Sequence, residues 1–238
     1  MGRGGIVKKG YLKTAFVTAA GATIAGSAGY KSLRKYIEWK DDVDYPAPSG
    51  VPLTKDETAF VGSIFGKEIN TARIRKYFAA EYHPLADAAA LSAEKIKFYG
   101  EKNHAADYSL SEDPFKYETF IHEITHIWQH QHRQQDIARF LRHHTKRYDY
   151  ALSQKSLFKD FGVEQQACIV ADYALQFLYP KRQKLNDTYY QPADKGNPPQ
   201  NLALLQKVVE DKFPQARKTR LALEAQVKAP TTSAPRAP

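Results

Sequence analysis

The chain has 238 residues, of which 42% are hydrophobic and 12% aromatic, a composition typical of a globular protein rather than a disordered one. Its formal charge is +9, but much of the basic excess lies near the two ends, and the sequence contains no zinc knuckle, phosphate-binding glycine loop or RNA-binding aromatic motif. We therefore expect no nucleic-acid partner. The single cysteine, Cys168, excludes both an intrachain disulfide and a cysteine-based metal site.

Residues 1–38 are basic and hydrophobic, and we expect them to be helical. Within them, residues 14–30 carry no charge and lie between basic residues, yet they are slightly shorter than the roughly 20 residues that span a bilayer. Gly21, Ala25 and Gly29 recur every four residues, which would give one helix face suited to close packing. Three interpretations stay open: a signal peptide, a membrane or partner-binding segment, or an ordinary helix packed on the domain.

The composition then divides the rest of the chain into four parts. Residues 39–53 are interrupted by prolines and carry an acidic cluster, which predicts a linker. A folded domain is predicted over 54–190, followed by a helical extension over 191–226. Residues 227–238 are rich in Pro, Ala, Ser and Thr, and we expect a disordered tail.

The first half of the predicted domain mixes helix and strand signals. Thr54 and Glu57 form a capping box for a helix that ends near Gly66. Residues 67–80 predict a short strand pair, or a strand with a turn. Residues 95–99 alternate in polarity and meet a glycine, which predicts a strand.

The second half is predicted to be helical. Asp113 as N-cap and Pro114 at the first position begin a helix. Its apolar residues recur every three or four residues, and it runs at least to Gln131. Further helices are predicted over 163–178 and 201–212, the latter resuming to 226. The fold class is therefore α+β and predominantly helical.

The pattern His-Glu-x-x-His lies in the middle of the first of these helices. His122 and His126 are four residues apart, so both imidazoles leave one helix face and can bind one Zn²⁺. Glu123 lies beside them, where its carboxylate is predicted to serve as general base toward a water that the metal activates. The flanking residues are apolar, which favours a metal site over a helix with two surface histidines. The strand predicted over 95–99 precedes this helix, and in zinc peptidases such a strand borders the cleft and pairs with extended substrate.

The third ligand decides the subclass of such a site. His132 has the spacing of a metzincin ligand, but that pattern needs a glycine where Gln129 stands, and a methionine turn, whereas the only methionine is Met1. Glu164 is the better candidate, because a glutamate on a separate downstream helix also completes a two-histidine site. The small residues that follow it along the predicted helix would let the two helices approach closely.

These residues resemble gluzincin-like metallopeptidases of the Vgr-related, contractile-injection-system-associated type. The resemblance rests on residues 53–66, 121–129, and 164–167 with 172–173. It implies a zincin-like catalytic domain with a small sheet and a His-Glu-x-x-His helix. Thermolysin-like enzymes carry an acid four residues after the ligand glutamate; here that residue is Cys168, and Asp172 is expected to orient a ligand histidine instead.

The sequence thus predicts a zinc metallopeptidase in which His122, His126 and Glu164 bind Zn²⁺ and Glu123 is catalytic. A further donor is expected to stabilise the oxyanion. The sequence does not choose among its candidates, which are Tyr150, Tyr173, His130 and His143.

The expected partners are a peptide or protein substrate and, from the resemblance, a secretion-system component, a chaperone or an immunity protein. The resemblance also implies a bacterial, exported effector toxin of type VI or related secretion, with membrane contact through residues 14–30. Two alternatives stay open: a catalytically inactive zincin-fold binding module, and a membrane-active protein acting through residues 14–30.

Overall fold

The computed structural model describes residues 50–80, 87–90, 92–132, 148, 150–179 and 198–228. These residues form a small mixed sheet and a larger set of helices, which confirms the predicted α+β, predominantly helical class. The N-terminal segment 1–38 and most of the predicted linker and tail lie outside the described residues; residues 227–228 of the predicted tail are helical. The predicted domain boundaries stay predictions.

The sheet has four strands in the order β1-β2-β4-β3. The strands are β1 (Val51–Pro52), β2 (Arg75–Ala79), β3 (Ala88–Ala90) and β4 (Lys95–Tyr99). β2 and β4 pair in parallel at the centre, while β1 and β3 are antiparallel to their neighbours. The strand predicted over 95–99 is confirmed, and the last part of the predicted linker is an edge strand.

Helix α1 (Lys55–Phe65) begins and ends as the sequence predicts. The hydroxyl of Thr54 accepts a hydrogen bond from the Glu57 backbone N–H at 3.0 Å, and the Glu57 carboxylate accepts one from the Thr54 N–H at 2.9 Å. Gly66 follows with a φ of 57°, a left-handed conformation that side chains other than glycine rarely adopt. The capping box and the glycine stop are both confirmed.

Helix α2 (Pro114–Gln131) carries the His-Glu-x-x-His pattern through the middle of the molecule. Asp113 accepts a hydrogen bond from the Phe115 N–H, and Pro114 occupies the first position, as predicted. Every residue from 120 to 129 is buried, so the helix crosses the core instead of lying on it. The histidine pair is therefore held by packing on several sides.

Helix α3 (Val163–Tyr173) packs along α2 and continues as a π-helical turn, Ala174–Leu178. Ala167 and Ala171 are fully buried, so small side chains lie where the two helices approach. The helix predicted over 163–178 is confirmed, with its last turn wider than an α-helix. This packing brings a carboxylate on α3 to the histidines on α2.

Two C-terminal helices, α4 (Pro198–Lys212) and α5 (Pro214–Lys228), complete the described fold. α4 packs on α3, and α5 packs on α1. A buried ion pair between Glu210 and Arg220 joins the two helices, and the Tyr173 hydroxyl donates to Glu210 from α3. The predicted C-terminal helix and its resumption are thus both present, packed on the rest of the protein.

Among the residues that the structure describes, no helix is both long and apolar enough to cross a bilayer. Residues 14–30, where the sequence left three interpretations open, lie outside the described part.

Candidate metal centre

His122 and His126 lie one turn apart on α2, and both are 8% exposed. Their Nε2 atoms are 3.1 Å apart, with the two rings nearly perpendicular. Two imidazole nitrogens this close point at one common position. The helix geometry that the sequence predicted for this pair is therefore present.

Glu164 reaches the same position from the first turn of α3. Its Oε2 lies 3.3 Å from Nε2 of His122 and 3.2 Å from Nε2 of His126. Ligands at 2.0–2.1 Å from a tetrahedral zinc are separated by about 3.3–3.4 Å. The three atoms thus form nearly the triangle that one face of such a tetrahedron requires.

These three residues form a group that could hold a metal ion, and they are the three that the sequence selected. The donor set, two imidazoles and one carboxylate, suits zinc at a site that keeps a fourth position. The Glu164 side chain is 27% exposed, against 11% and 10% for the histidines. The carboxylate therefore marks the side on which the cluster meets solvent.

The electrostatics of the cluster show how strongly its members interact. Burial by itself lowers the pKa of His126, but the Glu164 carboxylate, assisted by Glu123 and a hydrogen bond with Gln129, raises it to about 9. Burial by itself raises the pKa of Glu164, and the two histidines together hold it well below its usual range. Without a metal, a proton on His126 is the positive charge that Glu164 faces.

Glu123 lies on the side of α2 that faces the sheet, and it is 7% exposed. Its Oε2 accepts a hydrogen bond of 2.6 Å from the backbone N–H of Ala90 in β3. This bond fixes the carboxylate next to the histidine pair. The residue predicted to be the general base is therefore held in place by the sheet.

The strand that borders the site is not the one expected. The sequence placed 95–99 at the cleft, but β4 is paired on both sides, with β2 and β3. β3 is the edge strand, and it was ambiguous in sequence because Ala88–Ala90 lacks the β-branched and aromatic residues that mark strands. The backbone N–H of Ala90 in β3 donates the hydrogen bond to Glu123.

Asp172, which the sequence predicted to orient a ligand histidine, is buried on α3. It accepts a hydrogen bond from the Tyr150 hydroxyl, and burial together with Glu118 raises its pKa well above the usual range. Its role toward a histidine stays a prediction. The Cys168 thiol lies 3.8 Å from Nδ1 of His122. Burial also raises the pKa of that thiol, so the neutral form faces the ring.

The candidates for an oxyanion donor fare differently. The hydroxyls of Tyr150 and Tyr173 are engaged with Asp172 and Glu210, respectively. His130 is half-buried on α2, and His143 lies outside the described residues. Tyr148 was not among the donors that the sequence suggested.

Tyr148 lies beside the cluster. Its ring centroid is 6.3 Å from that of His122. Burial raises its pKa, and Glu164, Cys168 and Glu123 add to the rise. Its hydroxyl therefore stays protonated near neutral pH, as a hydrogen-bond donor must.

His132, the alternative third ligand, ends α2 with its Nδ1 2.9 Å from the carbonyl oxygen of Trp128 and its ring against the indole. It does not belong to the metal-ligating group. The metzincin arrangement therefore does not apply, as the absence of its glycine and methionine predicted.

No family model matches the chain. Over 142 residues the chain is 34% identical to the type VI secretion system spike protein VgrG2b of Pseudomonas aeruginosa, an alignment that covers 55% of this chain. The chain spans only 13% of the length of that relative. A solved structure, the effector domain of Pseudomonas aeruginosa VgrG2b, is similar with a TM-score of 0.45 and 26% identity, covering 68% of this chain and 95% of that one.

The match to the spike protein VgrG2b supports the relationship to Vgr-related proteins that the sequence suggested.

Proposed function

We propose that this protein is a zinc-dependent peptidase. The observation that carries the proposal is the triangle of His122 Nε2, His126 Nε2 and Glu164 Oε2, with sides of 3.1–3.3 Å. The carboxylate of Glu123 is fixed beside it. A purely structural zinc site is closed by four protein ligands and needs no free carboxylate, so the three-ligand set with a neighbouring base favours hydrolysis.

His122, His126 and Glu164 would hold the ion. When bound, zinc supplies Lewis-acid polarisation of a carbonyl and lowers the pKa of a water toward about 7. The two rings are buried and packed by α2 and α3, so their nitrogens are already oriented. Little rearrangement is then needed for binding, which is the condition for a site that acts in catalysis.

Glu123 is proposed to take the proton of the attacking water and later deliver it to the leaving nitrogen. The Ala90 N–H bond to Oε2 leaves Oε1 for the water. Tyr148 is the tyrosine proposed to donate to the oxyanion, because its hydroxyl is protonated and its ring lies against His122.

The proposed substrate is an extended peptide. β3 is an edge strand of the described sheet and lies within hydrogen-bond distance of Glu123. Extended segments add to such edges through main-chain hydrogen bonds. A chain bound along β3 would pass the catalytic carboxylate.

The biological setting is also proposed. The relative VgrG2b is a type VI secretion system spike protein, which supports export of this bacterial protein by such a system as an effector toxin. A secretion-system component, a chaperone and an immunity protein are the partners that such a role would require. Membrane contact through residues 14–30 belongs to the same hypothesis.

The test uses the purified full chain, with zinc content measured alongside cleavage of a mixed peptide library. We expect about one zinc per chain, and we expect Glu123→Gln to keep the zinc while turnover falls by roughly 10²–10⁴-fold, because the proton acceptor is lost. Glu94→Gln, at a surface ion pair, is the control and should leave both unchanged. Full turnover by Glu123→Gln, or no zinc in the wild type, would disprove the assignment.

The same preparation separates the alternatives. Zinc binding without cleavage of any peptide would favour the inactive zincin-fold binding module. Removal of residues 1–38 with full retention of cleavage would argue against a function that acts through residues 14–30.

A further inference from the structure

The second nitrogen of His126 faces a buried glutamine. Nδ1 of His126 lies 2.8 Å from Oε1 of Gln129, one turn further along α2, and Gln129 has no exposed surface. The two rings of the histidine pair therefore differ on their far sides. Nδ1 of His126 meets an amide oxygen, whereas Nδ1 of His122 lies 3.8 Å from a thiol.

The orientation of the Gln129 amide is fixed by its other contacts. Its Nε2 donates to the carbonyl oxygen of Val163 and to Oε1 of Gln166, both at 3.0 Å. Gln166 is fixed in turn, because its own Nε2 donates to the carbonyl oxygens of Phe158 and Phe161. Since every acceptor in this chain is already determined, the Gln129 oxygen must be the atom that faces His126.

An oxygen in that position requires a proton on Nδ1 of His126, because a carbonyl oxygen only accepts. With Nδ1 carrying the proton, the lone pair of the neutral ring is on Nε2, which is the atom directed at His122 and Glu164. Metal-binding histidines commonly donate their other N–H to such an acceptor, which fixes ring and tautomer.

We infer that Gln129 is a positioning residue that holds His126 in the zinc-binding tautomer, and that the Gln129–Gln166 amide chain sets the two ligand-bearing helices in register. The inference rests on the proposed zinc site. Val163, whose carbonyl oxygen accepts from Gln129, precedes Glu164 directly. The Gln129 amide therefore orients His126 on α2 and also anchors the turn of α3 that carries Glu164.

Two substitutions separate the acceptor from the donors. Gln129→Glu keeps an oxygen that accepts from Nδ1–H of His126 but loses both hydrogen bonds donated to α3. Gln129→Met loses the acceptor and both donors, while the side-chain volume stays similar. We expect Gln129→Glu, which keeps the acceptor but loses both donors, to bind zinc less than about 10-fold more weakly than the wild type, as measured by chelator competition. We expect Gln129→Met to bind about 10–100-fold more weakly. Both variants should unfold at lower denaturant, because both lose the donors.

Gln131→Met is the matched control. Gln131 lies two residues further along α2 and also anchors backbone, by donating to the carbonyl oxygens of Asn70 and Ala93, but it does not belong to the cluster. Its loss should lower stability with no change in zinc Kd. Should Gln129→Met prove too unstable to purify, Gln166→Met removes one acceptor from the Gln129 amide and should weaken zinc binding by a smaller factor.

A spectroscopic measurement tests the tautomer independently of turnover. In zinc-loaded protein with ¹⁵N-labelled histidine, the Nδ1–H proton of His126 should be observed and protected from exchange in the wild type and in Gln129→Glu. It should exchange rapidly in Gln129→Met. A merely structural role would change stability alone and leave this signal intact.

The outcomes are distinguishable from failure of the zinc proposal. A wild type that binds no zinc overturns both ideas. A wild type that binds zinc and cleaves peptides, with Gln129→Met matching its Kd and its protected proton, overturns the positioning role alone. Equal weakening of zinc binding by Gln129→Glu and Gln129→Met also overturns it, since the acceptor would then not matter.

Discussion

Two clusters of charged and polar side chains are buried in this protein, and they are completed in different ways. Glu57 and Lys76 lie on α1 and β2, with fully buried side chains. Lys76 Nζ is 2.7 Å from both carboxylate oxygens, and the backbone N–H groups of Thr54 and Tyr108 donate to them as well. This carboxylate has a full positive partner and all the donors it needs.

In the cluster of His122, His126 and Glu164, the described ion pairs of the carboxylate are with the two histidines and not with a lysine or arginine. The three atoms point at one another, and the Glu164 carboxylate raises the pKa of the His126 imidazole. One side chain stays 27% exposed. The first cluster is therefore complete in the folded protein, whereas the second is a group that could hold a metal ion. The predictions below test that contrast.

The largest change in the free energy of unfolding is expected from breaking the buried Glu57–Lys76 ion pair. Lys76→Met leaves the Glu57 carboxylate buried without its cation, which we expect to cost about 3–5 kcal/mol in the free energy of unfolding. Zinc affinity of the folded protein should not change. Chemical denaturation and chelator competition measure the two quantities.

The matched control is Arg73→Met, which removes the exposed ion pair with Glu94 and should cost at most about 1 kcal/mol. Comparable losses for the two variants would show that the buried Glu57–Lys76 pair stabilises the protein no more than an exposed ion pair does.

The second effect concerns the cluster of His122, His126 and Glu164. Zinc at 100 times its Kd should stabilise the protein by about 2.7 kcal/mol, which corresponds to a rise in Tm of roughly 5–11 °C for a protein of this size. Glu164→Ala should lose most of this gain, because two imidazoles alone form a weak site. Thermal unfolding with and without zinc gives the answer, and an undiminished shift in Glu164→Ala would remove Glu164 from the ligand set.

The third effect is a pH dependence of the metal-free protein. The pKa of His126 is raised to about 9, so the stability it contributes is complete below about 6.5 and is lost as pH rises through 9. The pKa of Glu164 is lowered, so its contribution is present above about 4.5 and is lost as pH falls. The pair should stabilise the metal-free protein most between about pH 4.5 and 6.5, with slopes of at most about 1.4 kcal/mol per pH unit outside that range.

Zinc competes with the proton on His126, so its stabilisation should instead grow from pH 6 to pH 9. Unfolding curves at several pH values, with and without zinc, measure both trends. Glu164→Gln removes the charge that raises the pKa, and it should flatten the metal-free profile above pH 6.5. A metal-free protein whose stability is unchanged between pH 6 and pH 9 would contradict the His126–Glu164 interaction.

Much of the site was predictable because its geometry is local. The four-residue spacing of His122 and His126 is one helical turn, so a helix suffices to place both rings. Asp113 and Pro114 mark where that helix starts, and Thr54 with Glu57 marks another, since capping is chemistry between near neighbours. Glu164 was predicted because a two-histidine site needs a third ligand and because small residues follow it along the predicted helix.

What sequence analysis missed depends on contacts between distant segments. β3 is a run of alanines that becomes a strand only because β4 supplies its hydrogen bonds, and its backbone then holds Glu123. The contact between Cys168 and the His122 ring follows from how α2 and α3 pack, which no spacing reveals.

The sequence by itself determined which residues share a helix face, where the main helices begin, and which three side chains have the chemistry to bind zinc, because these follow from periodicity and side-chain chemistry. Only the tertiary structure decided that three atoms from two helices meet within 3.1–3.3 Å, which strand holds the base, and which amide orients His126. Such distances depend on how helices and strands far apart in the chain pack, and that packing is set by the whole core at once.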